Sequence, residues 1–161
     1  MADTDLLVDQ LTSLLAGETN PVTILANASA LLNDTLANIN WAGFYLYNEE
    51  TRQLDLGPFQ GKVACMHIAP GRGVCGTAYA TGQVQRVADV HQFPGHIACD
   101  SASNSEIVVP LPGFGVLDID SPLTDRFSAA DETVLTAFGR AVQKQLDATP
   151  AHSVQWPLCV K

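Results

Sequence analysis

The sequence predicts an α+β domain with a central antiparallel sheet and with the N- and C-terminal helices packed on one face of that sheet. Three observations favour this class. Helical periodicity marks both ends of the chain, at residues 5–15 and 128–146. Short segments of alternating hydrophobicity, separated by turns that contain glycine and proline, lie between them. The 161 residues show no repeat or linker, so we expect one domain (1–161) with a core at about 17–146 and a loose tail at 150–161.

Composition and charge exclude several classes of function. The formal net charge is −9 and the 8 Lys and Arg residues are scattered singly, so the chain is not expected to bind nucleic acid. No apolar run is long enough to span a bilayer, and the acidic first residues lack the pattern of a signal peptide. We therefore expect a cytoplasmic protein that contacts no membrane. Cytosolic thiols stay reduced, so a disulfide in such a protein would be catalytic or sensing.

The first two predicted elements are amphipathic helices. Leucines recur on one helical face over Asp5–Leu15, and Gly17 ends that helix. Asn20 followed by Pro21 is typical of an N-cap with proline at the first helical position of a second helix. Both helices are interpreted as packing elements that form one layer of the fold.

Three strands are predicted next. Trp41–Tyr47 is aromatic and alternating, and Thr51–Leu56 is its candidate hairpin partner, followed by a turn at Gly57–Pro58. Val63–Ile68 also alternates, which predicts a third strand that carries Cys65.

A short helix and a long loop follow these strands. Val74–Thr81 predicts a helix with Cys75 near its start, and Val84–Val87 predicts a short strand. Asp89–Ser105 is a polar stretch that contains Cys99 and little regular structure. Because loops of this length inside compact domains are usually functional, this loop is a candidate site.

A hairpin and a helix complete the domain. Ile107–Leu111 and Gly115–Ile119 are predicted to pair as antiparallel strands. Ser128 and Asp131 form an S-x-x-D pattern, which predicts the N-cap of the final helix.

Three cysteines lie between Lys62 and Asp120. Cys99 is the least suited to burial, because it sits in a polar loop that contains glycine. Cys75 is predicted at the start of a helix, where the positive end of the helix dipole would lower the thiol pKa. Cys65 is the most plausible structural thiol of the three. Their spacings match no common zinc pattern, so no metal is expected.

Carboxylates and aromatic residues supply further candidates. Asp118 and Asp120 project to one face of a strand, and Glu106 begins the adjacent strand. Close together, they would bind an ammonium group or raise one pKa enough to keep a proton; otherwise they are surface charges. Trp41 and Tyr45 either pack in the core or form an aromatic wall for an apolar or sulfur-bearing group.

Two histidines accompany Cys99 in the long loop, His91 and His96. Either could act as a base for the thiol, although a hydrogen bond that orders the loop is the simpler interpretation. Three thiols near a small acidic site suggest redox work on a small molecule.

Five long motifs follow one another between the predicted helices: Asn40–Tyr45 (NWAGFY), Leu56–Cys65 (LGPFQGKVAC), Gly71–Ala78 (GRGVCGTA), Asp89–Leu111 and Gly115–Pro122 (GVLDIDSP). With these motifs the sequence resembles, over about residues 17–146, the free methionine-(R)-sulfoxide reductases, which are built on the GAF fold. A generic GAF domain would share the fold but not the three cysteines.

The resemblance implies a role for each candidate residue. Cys99 matches the catalytic thiol, Cys75 its resolving partner in a disulfide, and Cys65 a thiol used in recycling. Trp41 and Tyr45 match the aromatics around the methylthio end of the substrate. The carboxylates that bind the amino group and handle the sulfoxide oxygen match Glu106, Asp118 and Asp120, the last as proton donor.

The resemblance also implies an activity: reduction of free L-methionine (R)-sulfoxide through a sulfenic acid and a disulfide, with no metal or organic cofactor. Family members are usually homodimers that thioredoxin reduces. The alternative is a non-catalytic GAF-type small-molecule or redox sensor domain. Cys159 has no counterpart in the family and receives no role.

The length of the last hairpin loop decides whether the acidic pocket implied by the family can form. A two-residue turn would place Glu106 on the other face of the sheet from Asp118 and Asp120. A three-residue loop instead pairs Leu111 with Gly115 and sets Glu106 across from Asp120. We predict this second register, or a bulge with the same effect.

Overall fold

The computed structural model describes residues 2–99 and 101–149. The predicted loose tail at 150–161, with Cys159, lies outside the described residues. The described elements are, in chain order, α1 Ala2–Leu15, α2 Pro21–Thr35, β1 Trp41–Asn48, β2 Gln53–Gly61, β3 His67–Ile68, α3 Gly73–Thr81, β4 Gln85–Val87, a 3₁₀ turn at Val90–Gln92, β5 Ser105–Leu111, β6 Gly115–Ser121 and α4 Ala129–Asp147.

The strands form one antiparallel sheet in the order β3-β2-β1-β6-β5-β4. Helices α1, α2 and α4 cover one face of this sheet, where Leu11, Leu25 and Phe138 are buried together with Phe44 and Leu117 of the strands. The predicted α+β class, with helices from both ends of the chain on one face of an antiparallel sheet, is therefore confirmed.

The other face of the sheet carries α3 and a second buried cluster. This cluster joins Trp41 and Tyr45 of β1 to Cys75 of α3 and Val108 of β5. Successive side chains of a strand point to opposite faces, so β1 sends Phe44 to the helix-covered core and its neighbour Tyr45 to the α3 side.

The caps predicted for α2 and α4 are both present. The Asn20 side chain accepts hydrogen bonds from the backbone N–H groups of Val22 and Thr23. Ser128 and Asp131 form a reciprocal capping box at the start of α4. Within the described residues, no helix combines the length and the apolar character that crossing a bilayer requires.

The loop between β5 and β6 confirms the predicted register. Leu111 pairs with Gly115, and Glu106 pairs with Asp120 across the ladder. Gly113 in the loop has a φ of 82°, a left-handed conformation that glycine adopts without steric cost. The short loop therefore brings Glu106 to the same face of the sheet as Asp120.

The predicted turn at Gly57–Pro58 is wrong, because β2 continues through both residues to Gly61. The ladder between β1 and β2 shifts register between Gly43 and Tyr45. A bulge of this kind leaves a strand residue outside the regular pairing, which accommodates a proline that has no N–H to donate.

The predicted third strand is also too long, since only His67–Ile68 of Val63–Ile68 pairs with β2. Cys65 consequently lies in a loop and not in a strand. Side chains hold this loop in place of a ladder: Trp41 Nε1 donates to the Lys62 carbonyl at 3.2 Å, and the Tyr45 hydroxyl donates to the Cys65 carbonyl at 2.9 Å.

Candidate active site

A cavity lies on the α3 side of the sheet, between β1, β5 and β6 and the two loops that carry Cys65 and Cys99. Its volume is about 40 Å³. Most of the residues that the sequence singled out line it together: Trp41, Tyr45, Cys75, Cys99, Glu106, Asp118 and Asp120. The topology therefore gathers residues from four separate motifs, as the candidate site requires.

A disulfide joins Cys65 to Cys99 at this cavity, with a Cα–Cα distance of 5.3 Å. The predicted pairing of Cys75 with Cys99 is therefore wrong in this structure, where Cys75 is a free, buried thiol. The reason is positional: Cys65 lies in a loop that approaches the Cys99 loop, whereas α3 turns Cys75 inward so that its Sγ donates to Glu106 Oε1 at 3.8 Å.

Trp41 and Tyr45 contribute to the site in two ways. Trp41 stacks on Tyr45 and on Phe59, with ring centroids 5.8 and 5.0 Å apart, which builds an apolar wall. The polar ends of Trp41 and Tyr45 also hold the backbone of the Cys65 loop, through the hydrogen bonds described above. The same two side chains thus line the cavity and position the disulfide.

Two carboxylates are buried at the base of the cavity. Glu106 is 7% exposed and Asp118 is 5% exposed. Burial raises the pKa of Asp118 to about 6, and burial followed by the charge of Asp118 raises the pKa of Glu106 well above its usual value. Among the described residues, Oδ1 of Asp118 finds no hydrogen-bond partner. The pair is therefore suited to holding a proton near neutral pH and to receiving a polar group.

Cys75 differs from its prediction in pKa as well as in pairing. It lies in the first turn of α3, as predicted, but it is 4% exposed. Burial, and then the charges of Asp118 and Glu106, raise the pKa of the Cys75 thiol well above its usual value. These effects outweigh the helix dipole, whose influence is modest and confined to the first turn, and they leave Cys75 a protonated thiol.

The two histidines of the long loop differ in their positions and contacts. His91 Nε2 lies 3.0 Å from Asn104 Oδ1, a contact that orders the loop. His96 lines the cavity beside Cys99, and burial followed by the neighbouring His91 lowers the pKa of its ring. A neutral imidazole at that position can accept a proton from a thiol.

One group of side chains could in principle hold a metal ion. Ligand atoms of Cys75, Glu106 and Asp118 all lie within 4.8 Å of one another, and all three residues are buried. One thiol and two carboxylates form a mixed donor set that differs from the Cys- and His-rich sets of structural zinc sites.

The sequence analysis did not single out every residue that lines the cavity. The further lining residues are Ala64, Ile68, Arg72, Gly73, Val74, Ile97 and Ser103. A signal for Arg72 was present, because Gly71 and Gly73 on either side of it have φ angles of 82° and 61°. Glycines in that conformation let the backbone turn sharply before α3. Ser103 carries no such local signal, and its hydroxyl accepts a hydrogen bond from Asn40 Nδ2 at 3.1 Å, across 63 residues of the chain.

The buried carboxyls predict a pH dependence of stability. The folded state holds protons that the unfolded chain releases near pH 4, so stability should fall as pH rises through about 6. Asp118→Asn should therefore raise Tm by a few degrees at pH 8, since about 1 kcal/mol shifts Tm by roughly 2–4 °C in a chain of this size. Thermal unfolding followed by circular dichroism measures the effect.

The matched control for this prediction is Asp9→Asn on the exposed side of α1. This variant should leave Tm nearly unchanged at pH 8 and at pH 5. The gain from Asp118→Asn should shrink at pH 5, where the native carboxyl carries its proton. An equal gain at both pH values would contradict the proton-linked explanation.

Comparison with known proteins identifies the class of this fold and site. The family profile described as "GAF domain" matches residues 19–144. The free methionine-R-sulfoxide reductase of Escherichia coli (strain K12) is 57% identical over 141 residues, which cover 85% of this chain and 84% of that protein. The fold and this profile place the chain among GAF-domain proteins.

Solved structures agree with the sequence relatives. The reduced form of fRMsr of Staphylococcus aureus has a TM-score of 0.84 at 54% identity and covers 89% of this chain and 94% of that one. The free methionine-R-sulfoxide reductase from Neisseria meningitidis, in complex with its substrate, has a TM-score of 0.87 at 41% identity, covering 91% and 89%. The chain belongs to the family of free methionine-R-sulfoxide reductases, oxidoreductases that act on a sulfur group.

Proposed function

We propose that this protein reduces free L-methionine (R)-sulfoxide to L-methionine through thiol chemistry at Cys99. The observation that carries the proposal is the disulfide between Cys65 and Cys99 beside a cavity lined by carboxylates and aromatic rings. Relatives that share the fold at high identity are named for this reaction.

The two sides of the cavity suit the two ends of the substrate. Trp41 and Tyr45 present aromatic faces for the methylthio end, since sulfur makes favourable contacts with aromatic rings. Glu106, Asp118 and Asp120 present carboxylates for the α-ammonium group. A free amino acid satisfies both sides, whereas a peptide-bound residue has no charged nitrogen to offer.

The chemical step transfers one oxygen atom and two electrons. The Cys99 thiolate attacks the sulfoxide sulfur while a proton is delivered to the sulfoxide oxygen. Asp120 remains our proposed donor, and Glu106, its partner across the ladder, is the protonated neighbour that supports it. The hydroxyl then passes to Cys99 as the substrate's sulfur–oxygen bond and the new sulfur–sulfur bond break. Cys99 becomes a sulfenic acid, and methionine leaves with its sulfur reduced.

Recycling uses Cys65. Its thiol attacks the sulfenic acid on Cys99, water leaves, and the disulfide observed in the structure forms. An external dithiol, thioredoxin in our proposal, then reduces that disulfide. Homodimerisation is proposed on the family resemblance, and a location in the reducing cytoplasm on the charge and hydropathy of the sequence.

The cavity beside the disulfide is small. A volume of about 40 Å³ admits water-sized groups and is far below the roughly 300–1,000 Å³ of small-molecule pockets. Substrate entry therefore requires the loops of Cys65 and Cys99 to separate after their disulfide is reduced.

Turnover with separated epimers tests the proposed function. With excess dithiothreitol, the R epimer of free methionine sulfoxide should yield many equivalents of methionine per protein, measured by amino-acid analysis, and the S epimer should yield none above background. The rival function, a GAF-type sensor without turnover, predicts no more than one equivalent from either epimer.

A further inference from the structure

Exposed apolar side chains lie within two residues of both cysteines of the disulfide. Val63 is 88% exposed and Met66 is 71% exposed, and they flank Cys65 in its loop. Ile97, two residues before Cys99, is 37% exposed. Single exposed apolar residues are ordinary, but these three come together because the disulfide joins their two loops.

The two sulfur-bearing residues of the disulfide face different surroundings. Cys99 lines the cavity, whereas Cys65 is not among the residues that line it. Cys65 and Cys99 are both half-buried, and the exposed Met66 follows Cys65 directly. Because Cys99 also faces the cavity, we expect a reductant that arrives from solvent to attack Cys65.

Positive charge lies next to this apolar group. Lys62 and Arg72 are both exposed, the first in the Cys65 loop and the second in the lining of the cavity. They are two of only 8 basic residues in a chain of net charge −9. The group that opens a disulfide is a thiolate, an anion, so the local charge complements the attacking species.

The backbone of this loop is held before any partner binds. Trp41 donates to the Lys62 carbonyl and Tyr45 to the Cys65 carbonyl. A surface that is already ordered loses less conformational entropy on association. The exposed apolar groups are therefore presented by a fixed loop.

We propose that Lys62, Val63, Met66 and Ile97 form a docking surface for a protein dithiol reductase, which we call the recycling surface. The proposal rests on the proposed function, because it assigns a partner to the disulfide formed in that cycle. The partner it fits is a protein that presents a reactive dithiol within an apolar surface.

The proposed thiol–disulfide exchange on this surface has two steps. A partner thiolate attacks Cys65, a mixed disulfide forms, and Cys99 leaves as a thiolate. The partner's second thiol then attacks the mixed disulfide and releases Cys65 as a thiolate. The partner ends with one disulfide, and this protein has gained two electrons.

The test compares two reductants on the same variants. Thioredoxin, kept reduced by thioredoxin reductase and NADPH, engages a protein surface, whereas dithiothreitol engages only the sulfur atoms. Val63→Asp and Met66→Asp should raise the thioredoxin concentration that gives half-maximal turnover by about tenfold or more. Turnover with saturating dithiothreitol should stay within about twofold of the wild type. A twofold change in rate corresponds to only a small change in the activation free energy of the chemical step.

Val22→Asp supplies the matched control, because Val22 is 44% exposed and lies on α2, which covers the opposite face of the sheet. It should behave as wild type with both reductants. An unchanged thioredoxin dependence in Val63→Asp and Met66→Asp would overturn the proposal, as would an equal loss with both reductants. Failure of the wild type with dithiothreitol would instead refute the proposed function.

Trapping identifies the attacked sulfur. Thioredoxin in which serine replaces its second active-site cysteine cannot complete the exchange, so the mixed disulfide should accumulate and peptide mapping should find it at Cys65. A mixed disulfide at Cys99, or none, would overturn the assignment of the attacked side.

Discussion

Cys99→Ser is expected to abolish methionine formation even in a single turnover. The thiolate is the nucleophile in the proposed step, and a serine hydroxyl in the same place stays protonated at neutral pH and attacks sulfur poorly. Loss of a nucleophile in other enzymes lowers turnover by several orders of magnitude, and we expect a decrease of about 10⁴-fold or more. Rapid mixing of the reduced variant with a small excess of (R)-sulfoxide, followed by acid quench and methionine analysis, measures it.

The other two cysteines supply matched comparisons. Cys65→Ser should release one equivalent of methionine and then stall with thioredoxin, leaving a sulfenic acid on Cys99 that a dimedone adduct reveals. Cys75→Ser should keep repeated turnover, since the structure pairs Cys99 with Cys65. Methionine release by Cys99→Ser, or a stall in Cys75→Ser with normal recycling in Cys65→Ser, would refute the assignment of roles.

Acetylation of the substrate's α-amino group should lower kcat/KM by about 10²-fold or more. The acetylated nitrogen carries no charge, so the carboxylates that line the cavity lose the ammonium group that would offset their burial. Removing one partner of a buried ion pair costs roughly 3–5 kcal/mol, which corresponds to about two to four orders of magnitude. Initial rates on free and N-acetylated (R)-sulfoxide, both with dithiothreitol, measure the ratio.

Asp120→Asn tests the proposed proton donor on the same two substrates. An amide cannot deliver the proton to the sulfoxide oxygen, so the variant should lose activity on the free and on the acetylated substrate by a similar factor. Comparable rates of the wild-type protein on both forms would remove the basis for an acidic substrate pocket.

Local rules were sufficient for much of the fold. Asn20 and Ser128 were recognised as helix caps because a cap depends on residues two or three positions away. The pairing of Glu106 with Asp120 followed from the length of one hairpin loop, because side chains alternate with a period of two in both strands. Helix caps and hairpin register depend on residues that are close in the sequence, so both could be predicted from the sequence.

Local rules failed where a contact with a distant element decides the conformation. The Cys65 segment has the alternation of a strand, yet Trp41 and Tyr45 capture its backbone and turn it into a loop. The bulge of β2, where Gly57 and Pro58 lie between the pairs Gly43–Phe59 and Tyr45–Leu56, likewise overrides the predicted turn. In both cases a partner from another element satisfies backbone groups that local pairing would otherwise use.

The amino-acid sequence alone determined the fold class, the family and many of the residues that line the site, because motifs and periodicity are properties of the chain itself. Only the tertiary structure decided which thiols pair and which stays free and buried. Cys75 occupies the helix start that was predicted to activate it, but burial beside Glu106 and Asp118 raises its pKa instead. Cys65 reaches Cys99 because two loops meet in space, and both disulfide pairing and desolvation depend on distances that the sequence does not contain.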